Sequence, residues 1–200
     1  MAGGKPPPLQ KISLYSEGSV RTVSQNRVYS MILAALMAGV TAALALVTVP
    51  LPFSPVPVTG QTFGVMLGGS LLGPRLGAIS QAIYIALGVT GLPVFAGLMA
   101  GPGVLAGPTG GYLWAFVPGA LSVGWLTGRR PTFLRALGAT FAGGVIVVYL
   151  IGVIQLALVT GIGLEDAALL GALPFLPGDC LKAVAAAAVA ARLRPHIRVD

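Results

Sequence analysis

Between Tyr29 and Ala191 the chain runs apolar in long blocks, interrupted by short clusters of Pro, Gly and Arg rather than by a polar face returning every third or fourth residue. A surface helix of a water-soluble protein confines its apolar residues to one stripe. Blocks near 20 residues long and apolar all round are instead the pattern of membrane-crossing helices. Block lengths and breakers predict six spans, at about 30–49, 60–73, 75–90, 109–127, 133–160 and 174–192. Pro50, Pro52, Pro55 and Pro57 end the first, and Gly73-Pro74 divides the second, short for a crossing, from the third.

Composition supports the same class. Charged residues make up 8% of the 200 positions and mean hydropathy is +0.90, against about 25% charged in a soluble domain. The expected fold is an all-α polytopic membrane protein with an outward-facing substrate pocket. Residues 1–28 read as a mostly disordered cytoplasmic tail, 29–194 as the transmembrane domain and 195–200 as a short cytoplasmic tail. The net charge of +7 would suggest nucleic acid in a soluble chain. Here the distribution of the charge argues otherwise. With both termini inside, the inner segments carry Lys5, Lys11, Arg21, Arg27, Arg75, Arg129, Arg130, Arg135, Arg192, Arg194 and Arg198, while the outer loops near 50–59, 91–108 and 161–173 carry no Lys or Arg. That asymmetry sets orientation in a bilayer and predicts a multi-pass protein of the cytoplasmic membrane whose surroundings are lipid, with no nucleic-acid partner.

The one remaining cation is Lys182, inside the last span. In "LPGDCLKAV", residues 176–184, Asp179 and Lys182 stand three apart and so share a helix face, at the outer end of a helix that must finish inside near Arg192. Each charge in the apolar slab costs about 2.5–3.5 kcal/mol. The positive end of the helix favours Asp179 and opposes Lys182. Such a pair either pins the helix to its neighbours or forms a binding site, with Asp179 accepting from ligand N–H groups and Lys182 donating to a ligand oxygen. Other polar groups that can reach the same outer cavity are Gln61, Gln81, Tyr84, Thr109, Tyr112, Tyr149 and Gln155; Tyr149 lies too deep for an interfacial tyrosine. The stretch "GLPVFAGLMAGPGVLAGPTGG", 91–111, has too many Gly and Pro for one helix and is too apolar for a water-exposed loop, so it reads as a cap over the pocket. Small residues recur every fourth position at Gly60, Gly64 and Gly68, and at Ala34, Ala38 and Ala42, where helix backbones can approach closely.

The sequence contains no G-x-x-x-x-G-K-[ST], no H-E-x-x-H and no G-x-S-x-G. The single His196 is in the tail, so neither metal nor triad catalysis has residues to use: the reading is a non-enzyme without cofactor. Uphill transport would then draw on a partner or an ion gradient. One alternative is a stand-alone secondary transporter of a small carboxylated solute, driven by protonation of Asp179.

The stretches "LPFSPVPVTGQTFGVMLGG", "LLGPRLGAISQAIYIALGVTGLPVFAG", "GPTGGYLWAF" and "PFLPGDCLKA" together resemble the BioY family, the biotin-binding S-components of energy-coupling factor (ECF) transporters. The resemblance covers about residues 30–192. It implies six helices, high-affinity capture of biotin from outside, and a transmembrane T-component and cytoplasmic ATPases as partners. It also implies that Asp179 and Lys182 contact the substrate and that the small-residue stripe of the first helix, Ala34 and Ala38, contacts the T-component. Gln155 departs from the resemblance, since an aromatic is expected there. Tyr149, Gln61, Tyr84 and Thr109 complete the expected substrate-binding set.

Overall fold

The computed structural model describes residues 11–197, with side-chain surroundings from Arg27 onward. Its elements are α1 (Lys11–Ala45), a hairpin of β1 (Thr48–Leu51) and β2 (Ser54–Thr59), α2 (Gln61–Leu72), α3 (Pro74–Val89), the single turn α4 (Gly103–Ala106), α5 (Gly110–Thr127), α6 (Phe133–Phe141), α7 (Val148–Thr160), α8 (Leu164–Gly171) and α9 (Leu176–Leu193). A π-helical stretch, Ala142–Val147, joins α6 to α7 without a break.

Three helical stretches among the described residues are long and apolar enough to cross a membrane: Arg27–Ala45, Phe133–Thr160 and Leu164–His196. The outer surface fits that environment. Leu158, Leu134, Trp125 and Leu181 are each more than 70% exposed, and each would cost about 1.5–3 kcal/mol if left in water. Against lipid they cost nothing.

Three stretches extend or differ from the sequence reading. α1 begins at Lys11, ahead of the first span; residues 1–10 and 198–200 lie outside the described residues. The proline cluster forms a hairpin rather than a plain connector, pairing Thr48 with Thr59 and Val49 with Val58 antiparallel; the prolines lie in a two-stranded ribbon, where edges need no ladder donor. The loop 161–173 contains α8, which starts with Glu165 and Asp166 in its first turn, the charge its N-terminus favours.

Glycines let the central helices touch. A Cβ on Gly69 would lie 2.5 Å from the Ala120 carbonyl oxygen of α5, and one on Gly124 would lie 2.4 Å from the Gly73 carbonyl carbon. On α1, Ala34, Ala38, Thr41 and Ala45 are all buried to 1% exposure or less. A Cβ on Gly64 of α2 would meet Thr41, so this stripe of α1 is taken up inside the bundle. Ala34 and Ala38, expected to contact a partner, are thus covered by the bundle itself.

One end of the bundle is basic. The Arg194 side chain, 7% exposed, donates to the Leu71 carbonyl at 2.7 Å and the Gly128 carbonyl at 3.4 Å. The residue just after α9 thus ties down a carbonyl in the last turn of α2 and the one just after α5, where the helix dipole favours a cation. Arg75, Arg129, Arg130 and Arg192 are exposed at the beginning of α3 and just after or near the ends of α5 and α9. The other end, where α2, α5 and α9 begin, holds the site.

Candidate functional site

α9 supplies Asp179 in its first turn and Lys182 one turn later. Their side chains meet at 2.6 Å, the carboxylate 3% and the ammonium side chain 22% exposed. At the 1.5 Å rise of an α-helix, Asp179 stands about 22 Å along α9 from Arg194. That depth is within a hydrocarbon slab about 30 Å thick. Such a pair would be costly without further bonds, and β2, α2 and α7 provide them. Thr62 donates its hydroxyl to Asp179 Oδ1 at 2.9 Å, and Tyr149 donates to Oδ2 at 2.5 Å. Lys182 Nζ donates to Asp179 Oδ1, to the Thr59 carbonyl at 2.6 Å and to Thr62 Oγ1 at 3.1 Å.

Counting lone pairs and protons shows what the pair can still do. A carboxylate accepts about four hydrogen bonds and an ammonium donates three. Asp179 accepts three and retains capacity for one more. Lys182 has committed all three protons, so it grips a ligand oxygen only by releasing Thr59 or Thr62. The Thr59 carbonyl, at the end of β2, is thus tied to the state of the site.

The pair faces a cavity of about 60 Å³ lined by Thr59, Gln61, Thr62, Thr109, Tyr112, Tyr149, Asp179 and Lys182 on its polar parts and by Phe95, Met99, Val104, Phe116 and Phe175 on its apolar parts. The hairpin contributes Val56 and Pro57 as well. The stretch 91–111, expected as a cap, contributes Phe95, Ala96, Met99, Val104 and Thr109 to the cavity wall. Mostly apolar walls with a few convergent polar groups are the usual build of a small-molecule site.

Of the expected binding residues, Asp179, Lys182, Tyr149, Gln61 and Thr109 converge on the cavity, and Tyr112 joins them while donating to the Gly171 carbonyl at 2.8 Å. Tyr84 does not reach it. It is fully buried, accepts from Gln61 Nε2 and donates to the Val94 carbonyl at 2.9 Å, so it supports Gln61 from behind instead of touching a ligand. Gln81 turns away altogether, toward Thr41 and Ser80 at 3.2 Å each. Sequence reasoning missed Thr62 and the Thr59 carbonyl. Thr62 sits next to Gln61, and its hydroxyl is one of few polar groups opening α2; a carbonyl carries no sequence signal at all.

Replacing Tyr149 by Phe removes a donor from a buried carboxylate, a bond of about 1.5–3 kcal/mol. We expect ligand affinity about ten- to a hundredfold weaker in calorimetric titration, with the fold intact because the ring still fills its place.

The BioY family model matches residues 17–199. The chain belongs to the BioY family. Among its relatives are the biotin transporter BioY of Rhizobium etli, 39% identical over 78% of this chain and 88% of that protein, and that of Thermotoga maritima, 38% identical over 80% and 94%. A probable biotin transporter BioY of Pyrococcus horikoshii is 41% identical over 81% of this chain and 94% of its own length. Among solved structures, the S-component for biotin from an ECF-type ABC transporter superposes with a TM-score of 0.80 at 32% identity, covering 88% of this chain and 95% of that one.

Proposed function

We propose that this chain captures biotin from outside the cytoplasmic membrane and is the substrate-binding subunit of an ECF-type ABC transporter. The observation that carries the reading is the Asp179–Lys182 pair, its carboxylate buried and its ammonium partly so, set in a mostly apolar enclosure, in a chain whose relatives are biotin transporters. Biotin presents two ureido N–H donors, a ureido oxygen, an apolar bicycle with a thioether and a chain ending in carboxylate. The spare acceptor capacity of Asp179 suits a ureido N–H. Lys182, on leaving Thr59, suits a ligand oxygen. Phe95, Phe116, Phe175 and Met99 suit the ring system.

In this reading α1, α2, α3, α5, the α6–α7 helix and α9 are the six crossings, and both termini are cytoplasmic. The basic end formed around Arg194 faces inward by the positive-inside rule, which turns the pocket outward. α2 has only 12 residues, about 18 Å of helix, and the hairpin and the 91–109 stretch fill the remaining outer thickness as the roof. The chain performs no chemistry on biotin and needs no cofactor. The energy comes from a T-component and ATPases. The T-component packs on the face of α1 opposite the buried stripe: Ala35, Gly39 and Ala43 are exposed, and a Cβ on Gly39 would meet no atom within 4 Å, leaving room for close helix approach.

Calorimetric titration of the purified full-length protein with biotin tests the proposal. Saturable one-to-one binding is expected, and absence of heat at micromolar protein and excess biotin would refute it.

A further inference from the structure

The cavity, about 60 Å³ and open on one side, is small beside the roughly 300–1,000 Å³ of pockets that hold drug-sized ligands, so the fastening of its walls bears on how a ligand enters. Both halves of the 91–109 stretch pack on the bundle, through Phe95 and Leu105, but their hydrogen bonds to it differ. The first half is fixed to α3 at three points: Tyr84 donates to the Val94 carbonyl at 2.9 Å, the Gly101 amide donates to the Gly88 carbonyl at 2.7 Å, and the Phe95 ring fills a notch over Gly88, where a Cβ would lie 2.1 Å from the ring. Phe95 also packs edge-on against Tyr84 at 5.7 Å.

The second half carries Val104 and Thr109 into the cavity wall. Its backbone bonds are local, within 101–110. Among the described residues, its side-chain hydrogen bonds to the bundle come from one group: Gln155 Nε2 of α7 donates to the Leu105 carbonyl at 2.8 Å and to the Gly107 carbonyl at 3.0 Å. Both N–H bonds of the amide are used, and they end on either side of the last residue of α4. Gly101, with φ +91°, provides a joint at the upstream end and Gly107-Pro108 one at the downstream end. The Gln155 amide does not line the cavity.

We infer that Gln155 is a positioning residue, a latch that holds the α4 turn down over the site and sets how fast ligand enters and leaves. It acts through Val104 and Thr109 without touching the ligand. The inference rests on biotin being the ligand of this pocket, which wild-type titration tests by itself.

The test compares the full-length wild type with Gln155→Leu, which removes both donors, and with Gln155→Glu, the near-isosteric change that keeps the volume and leaves one donor at most. Stopped-flow association and dissociation of biotin and hydrogen exchange of the 101–109 amides are the readouts. Two neutral hydrogen bonds set the scale: association and dissociation rates should both rise about ten- to a hundredfold in each variant, Kd should move much less than either rate, and exchange should quicken over 101–109 only. Unchanged rates in both variants overturn the latch. So does a faster dissociation accompanied by faster exchange throughout the bundle, which would mark Gln155 as a general packing residue. Wild type failing to bind biotin would instead remove the ligand assignment, a separate outcome.

Discussion

Asp179→Asn should lower biotin affinity about 10²- to 10³-fold, the largest effect of any single change in the pocket. The substitution keeps the size of the side chain and removes its charge. Lys182, partly buried, then remains against the Thr59 carbonyl and Thr62 without a counter-ion, and breaking a fully buried pair from one side costs about 3–5 kcal/mol, an upper bound here. Part of that loss falls on the free protein, whose melting temperature should drop, and part on the complex, which loses its acceptor for ligand N–H groups. A second substitution separates the two. In Asp179→Asn/Lys182→Met no unpaired charge is left, so the melting temperature should recover relative to Asp179→Asn while binding stays lost. Tight binding surviving in both Asp179→Asn and Lys182→Ala would remove the pair from the site.

The second large effect separates two neighbours on α1. Ala38→Trp drives an indole into a position with 1% exposure in a close-packed core, where even small additions cost about 1–3 kcal/mol; we expect loss of folded protein and with it loss of biotin binding. Gly39→Trp, one residue on, faces open space. It should bind biotin as wild type does and abolish uptake when the complete energising module is present, because the indole holds the T-component helix away. Normal uptake by Gly39→Trp would place the docking face elsewhere. A folded, binding Ala38→Trp would show that α1 is not packed as described.

These two experiments mark where sequence reasoning ends. The pairing of Asp179 with Lys182 was legible because i, i+3 geometry is local and because a charge within an apolar block has few explanations. The roof was legible from its Gly and Pro content. The facing of α1 was not. Its sequence, ILAALMAGVTAALA, carries small residues on two stripes, Ala34-Ala38 and Ala35-Gly39-Ala43, and periodicity alone does not say which faces inward. Thr41 and Gly64 decide that by contact. Tyr84 and Gln81 were misplaced for a related reason: a polar side chain on a crossing helix signals that a partner exists, and only packing says whether the partner is ligand, Gln61 or Thr41. The hairpin and α8 escaped because proline clusters and short helices in loops are stabilised by their neighbours, as where Ser54 donates to the Leu170 carbonyl at 2.8 Å.

What the chain's order of residues determined by itself is the solvent and the rare charges within it: long apolar blocks demand a bilayer, and one acid with one base stands inside the last of them. What only the tertiary structure decided is which groups meet. Thr62, Thr59, Tyr149 and Gln155 come from elements distant in sequence from the groups they bond. Their relation to Asp179, Lys182 and the roof exists only once α2, α7 and α9 pack, because a hydrogen bond depends on distances of a few tenths of an ångström that no local pattern encodes.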